Sequence, residues 1–156
     1  MRAMFLVSVL GIVFLGSVNN SQAAEKVSCK VLTIEASHSG QGIDSGLKEY
    51  TSVLRKPPFS TYDTFKLVHQ QSYTITLGNS VSLTLPGAFS GKLNFNKAIK
   101  KHLDLTLTIT RPSAKPIIIN GKTISGAPFF AAGLKSERGR WVFGIICNKA
   151  DKLIHY

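Results

Sequence analysis

Residues 36 to 44 read ASHSGQGID, a run that gathers the residue types from which a hydrolytic site is made. Ser37 and Ser39 carry hydroxyls, His38 carries an imidazole and Asp44 a carboxylate, the side chains that serve nucleophilic catalysis. Gly40 and Gly42 make the backbone permissive, and Asp44 stands where a helix begins, so backbone amides there favour an anion. Adjacent Ser-His-Ser residues do not by that adjacency face one another, and the nucleophile-elbow pattern G-x-S-x-G is absent. Three readings follow: catalysis centred on His38, ligand binding by the loop, and a plain connection from strand to helix.

The other reactive side chains are sparse. Cys29 and Cys147 are the two cysteines, near opposite ends of the chain, each in a β-like run, VSCKVLTIEA and RWVFGIICN. Antiparallel pairing of the first and last strands would set the start of one beside the end of the other and allow a disulfide. The alternative is two separately buried thiols, since free cysteine packs as a small apolar side chain. Two cysteines and four scattered histidines show no metal-ligand spacing, and the eight acidic residues form no D-x-D, H-E-x-x-H or calcium-loop pattern. No cofactor is expected.

Charge points to a second kind of chemistry. Nineteen Lys and Arg against eight Asp and Glu give a formal net charge of +11. Local clusters occur at Lys97, Lys100 and Lys101, and at Lys135, Arg138 and Arg140. Such patches attract anionic surfaces, namely phospholipid head groups, lipopolysaccharide or acidic wall polymers, with a poorly specific affinity that salt screens. Lys97, Lys100, Lys101, Arg138, Arg140 and His38 are the candidate binding residues. The plainer reading is that these cations only keep the protein in solution. Three aromatics at three-residue steps, Phe59, Tyr62 and Phe65, read as a stacking platform or as a lid over the core. Trp141 alternates with Phe143 and Ile145, which favours burial.

The amino terminus predicts where this chemistry takes place. Arg2, an apolar run from Phe5 to Gly16, and small residues at Ser21 and Ala23 have the order of an export signal cleaved after Ala23, with Ala24 as the alternative. The run falls short of the ~20 residues that span a bilayer. Residues 24 to 156 then form one soluble, exported β-rich domain, periplasmic or secreted, with no transmembrane segment, and nucleic acid is an improbable partner there.

Positioning falls to strands. Residues 27 to 36 are rich in β-branched and apolar side chains. Asp44 caps a short helix with Leu47, Tyr50 or Thr51, and Leu54 at helical spacing, and Pro57 and Pro58 end it. In SYTITLGNSVSLTL, Tyr73, Ile75 and Leu77 share one face and Val81, Leu83 and Leu85 another, so the intervening GNS predicts a hairpin. HLDLTLTIT turns Leu103, Leu105, Leu107 and Ile109 inward. Asn120-Gly121 reads as a type I′ turn between PIII and KTIS. Two last strands, Phe129 to Ala132 and Trp141 to Cys147, flank a charged turn around Ser136 to Gly139. About eight short strands and one short amino-terminal helix predict an antiparallel β-sandwich, with a partly open barrel as the alternative.

The order of VLTIEASHSGQGID, LRKPPFSTYDTFKLV, LTLPG and APFFAAGLKSERGRWVFGIIC resembles that of a family of small exported bacterial proteins of unassigned function. The resemblance implies a one-domain exported protein and transfers no functional residues. The expected function is a non-catalytic binding or accessory domain that contacts a protein or an anionic envelope component. Its rivals are a small exported enzyme using the 37 to 44 loop and a structural envelope protein.

Overall fold

The computed structural model describes residues 24–150; the expected export signal lies outside the described residues. The elements in chain order are β1 (Lys26–Ser37), β2 (Gly42–Ile43), a 3-10 segment (Ser45–Tyr50) running into α1 (Thr51–Leu54), and a second 3-10 turn (Phe59–Thr61). There follow β3 (Thr64–Thr76), β4 (Ser80–Thr84), β5 (Ser90–Ile99), β6 (His102–Thr110), β7 (Ile117–Ile124), β8 (Pro128–Lys135) and β9 (Gly139–Lys149). One sheet has the order β2-β3-β1-β9-β8 and the other β4-β5-β6-β7. All neighbours are antiparallel except β2 and β3. The expected two-sheet β architecture is present, with nine strands once the two-residue β2 is included.

Alternation builds the layer between the sheets. Val27, Cys29 and Val31 of β1, Phe143, Ile145 and Cys147 of β9, Leu93 and Phe95 of β5, and Leu103, Leu105, Leu107 and Ile109 of β6 are all buried in one cluster. The middle of the five-stranded sheet is buried on its other face as well. There Leu32, Ile34, Ala36, Val142 and Ile146 meet Leu47, Tyr50, Leu54, Phe59 and Phe65. The helical segment therefore lies on the outside of that sheet as a third layer, which explains why β1 and β9 read as nearly unbroken apolar runs. Phe59 and Phe65 are core residues of this layer, covering a sheet face rather than one end of the sandwich. Asp44 caps the segment as expected, accepting from the Gly46 N–H at 2.9 Å.

Two turn expectations are corrected. The residues about GNS make no hairpin, because β3 and β4 belong to different sheets. The Gly78 N–H donates to the Phe95 carbonyl at 2.8 Å and the Phe95 N–H to the Asn79 carbonyl at 3.0 Å, so the turn is fastened to β5. Ile75 and Leu83 must face one core from opposite walls, and the chain crosses between sheets to let them. Likewise, Asn120 and Gly121 lie inside β7, which runs unbroken from Ile117 to Ile124. A Cβ on Gly121 would come within 2.9 Å of the Phe129 ring, so this glycine admits an aromatic from the opposite sheet.

Candidate binding cleft

Cys29 and Cys147 are bonded, and they stand directly opposite each other in the β1–β9 register with Cα atoms 4.0 Å apart. The bridge marks one end of the sandwich. The β5–β6 turn carrying Lys100 and Lys101 lies at this end: the Ser125 N–H donates to the Lys101 carbonyl, and the neighbouring Gly126 N–H donates to the Cys147 carbonyl. Lys97, Lys100 and Lys101 are exposed there, and Asp104 stands opposite Lys97 in register. These three line neither the cleft at the opposite end nor the small cavity beside Ile109 and Phe143.

The opposite end opens into a cleft of about 730 Å³. Its floor is the end of the five-stranded sheet, where Glu35 lies between Lys66 on β3 and Trp141 on β9 in register. Pro86, Gly87 and Phe89, between β4 and β5, form the facing wall, and Lys135 to Arg138 form the rim. The rim is stiffened by Ser136, whose Oγ accepts from the Gly139 N–H at 2.9 Å and from the Arg138 N–H at 3.3 Å. Among the described residues the ion pairs are Lys30–Glu49 and Lys149–Glu25, so no such pair neutralises Lys66, Lys135 or Arg138. The lining holds three cations, Lys66, Lys135 and Arg138, two carboxylates, Glu35 and Glu137, and the rings of Phe89 and Trp141, a mixed surface that suits a ligand with a flat or apolar body and charged groups, with a small excess of positive charge on the protein side.

The basic cluster of the sequence is thus divided. Arg138 lines the cleft, whereas Arg140 directs Nη1 to the Gly133 carbonyl at 3.0 Å and braces β8 against β9. Trp141 is half-buried, packed against the core on one side and open to the cleft on the other. Lys66, Glu35 and Phe89 were not singled out from sequence. One signal was available for Glu35: it continues the inward parity of Val27, Cys29, Val31 and Thr33, and a carboxylate on the core-facing side of a strand marks where the core ends.

His38 is elsewhere. It is exposed and stacks on Tyr62 with ring centroids 5.1 Å apart, and among the described residues it makes no hydrogen bond to a serine or a carboxylate. The hydroxyls beside it are used to fasten the loop. Ser39 Oγ donates to Thr64 Oγ1 at 3.1 Å, Thr64 Oγ1 donates to Asp63 Oδ1 at 2.8 Å, and the Gln41 N–H donates to Thr64 Oγ1 at 2.9 Å. The Gly40 N–H donates to Asp63 Oδ1 at 2.9 Å. That amide, then the Thr64 hydroxyl, hold the Asp63 carboxyl below the ordinary aspartate range. The 37 to 44 run therefore forms a strand-to-helix connection fastened by Asp63 and Thr64, and the catalytic arrangement is not assembled. No group of three or more His, Cys, Asp or Glu placed to hold a metal occurs among the described residues, and no helix among them is long and apolar enough to cross a membrane. No protein-family model, curated protein or solved structure matches the chain.

Proposed function

We propose that the protein is an exported, non-catalytic binding domain whose cleft takes an acidic segment of a partner protein. The observation that carries the proposal is the cleft itself, where Lys66, Lys135 and Arg138 outnumber the carboxylates Glu35 and Glu137 and none of the three cations is in an ion pair among the described residues, beside Trp141 and Phe89. The signal-like amino terminus and the resemblance to small exported proteins support export, and the Cys29–Cys147 bridge suits an oxidising compartment. The Lys97 to Lys101 cluster sits on a convex turn and contributes only general attraction.

Trp141 is the chain's one tryptophan, so its emission reports on the cleft directly. Titration with a glutamate-rich peptide containing one aromatic residue should change the emission, with an affinity that falls as salt rises. The pair Lys135→Glu and Arg138→Glu should weaken binding at least about tenfold, equivalent to 1.4 kcal/mol. Reversing Lys97, Lys100 and Lys101 should change it little. Equal losses from both sets would refute the cleft and leave bulk electrostatics. A response to an anionic polysaccharide but not to the peptide would move the ligand class from protein to envelope polymer.

A further inference from the structure

The five-stranded sheet is left open along most of one side. β3 pairs with β1 along its length, but β2 covers only Thr64 and Phe65, so from Lys66 onward no strand of the described residues occupies its outer edge. The hydrogen-bond phase of that edge can be worked out. Leu77 donates to the Glu25 carbonyl of β1's side, and the 26↔150 pair bonds on the β9 side, where the Ala150 N–H donates to the Lys26 carbonyl. Odd-numbered residues of β3 after the irregularity at Val68 therefore direct their backbone groups to β1. Gln70, Ser72 and Thr74 direct theirs outward.

Lys66 and the irregularity at Val68 guard the start of this edge, but from His69 to Thr76 it lacks the usual defences against pairing. β8 begins at Pro128, is irregular at Gly133 and ends at Lys135; β7 follows Pro116 and carries Lys122; β4 is only five residues long. From residue 67 to residue 91 the chain has no Asp, Glu, Lys or Arg, although its net charge is +11. The cation nearest the middle of the edge, Lys30, lies one strand back opposite Ser72 and is held 3.0 Å from Glu49. An acidic partner strand would find no cation to attract it here. A second copy is different: two strongly basic molecules meet with least repulsion through the stretch of edge from Leu67 to Thr76, which carries no Asp, Glu, Lys or Arg.

We propose that the protein forms a homodimer in which β3 pairs antiparallel with β3 of a second copy about a two-fold axis at Ser72. In this register Ser72 faces Ser72, Gln70 faces Thr74, and Gln71 faces Tyr73 of the other copy. No like charges are opposed, and the three outward-facing residues of each strand exchange about six backbone hydrogen bonds. The two five-stranded sheets become one continuous sheet. The seam is centred on Ser72 and the cleft uses Lys66 to Val68 at the start of the same strand, yet salt acts on the two in opposite directions: it screens the repulsion between like-charged copies and strengthens the dimer, while it weakens anion binding.

Sedimentation velocity of the chain from Ala24 to Tyr156, which contains every described element, tests the seam. At about 100 µM, a concentration that reveals weak association, the unaltered chain should sediment as a dimer. Ser72→Lys and Ser72→Glu each place like charges face to face at the axis, and each should weaken the dimer about tenfold or more. Mixing the two variants should restore it as a heterodimer, which a misfolded variant would not do. Ser72 is exposed, so both variants should melt as the parent monomer does. An unaltered chain that stays monomeric, a dimer indifferent to Ser72→Lys, or variants that fail to reassociate when mixed would each overturn the proposal.

Discussion

Replacing Cys29 and Cys147 together by alanine should cost about 5 kcal/mol through the unfolded chain alone. The bridge spans a sequence separation of 118, and the chain-entropy relation gives a loop of this size about 5 kcal/mol at room temperature. Both residues are fully buried in the core between the sheets, so trimming each to alanine adds roughly 1 kcal/mol of lost burial. Against a typical total stability of 5–15 kcal/mol, the double variant would be marginal, with a melting temperature lower by about 15–25 °C. Guanidinium unfolding followed by Trp141 emission and by circular dichroism measures the loss. The slope of the transition is as informative as its midpoint: an unbridged unfolded chain exposes more surface, so the m-value should rise. A loss under about 1 kcal/mol with an unchanged slope would refute the reasoning, and would mean that β1 and β9 stay associated in the unfolded chain without the bond. A large loss with an unchanged slope would place the effect in native packing instead.

Two further outcomes test local features. Asp63 is held below its ordinary range by the Gly40 amide and the Thr64 hydroxyl. A depressed carboxyl contributes above its unfolded value and loses that contribution as pH falls through the folded one, so the loop tether should be intact at neutral pH and released below about pH 4. Amide exchange at Gly40 should lose its protection in that range, and Asp63→Ala, which removes the acceptor oxygen, should lose it at neutral pH; protection that persists in both would dismiss the tether. Gly121→Ala should destabilise by about 1–3 kcal/mol through its contact with the Phe129 ring, and Phe129→Leu should recover part of that loss in the double variant. Additive losses would show that the ring is not the cause.

Much of the secondary structure was legible because alternation is a local property of the chain. The inward leucines of β6, the apolar run of β1, and the capping of Asp44 each depend on neighbours a few residues away, and each was readable before any fold was known. The nearly continuous burial of β9 and the spacing of Phe59 and Phe65 signalled residues that pack, without naming the layer they pack into. Turn chemistry was less reliable. Asn120-Gly121 has the composition of a hairpin turn, yet the glycine serves a ring on the opposite sheet; GNS is a turn, but one that moves the chain between sheets.

By itself, the sequence determined a basic chain of short alternating strands, with two cysteines placed so that a bridge was possible. Only the tertiary structure decided that the bridge forms, that Arg138 lines a cleft while Arg140 braces a strand, and that Lys97, Lys100 and Lys101 lie at the far end. It also assembled Lys66, Glu35, Phe89 and Trp141 into one concavity from four separate stretches of chain, and left β3 with an open edge that carries no Asp, Glu, Lys or Arg beyond Lys66. The reason is physical. Which face a residue takes follows from the two-residue period of a strand, whereas which strands become neighbours follows from burying all the apolar faces at once. That second condition is met only by the chain as a whole.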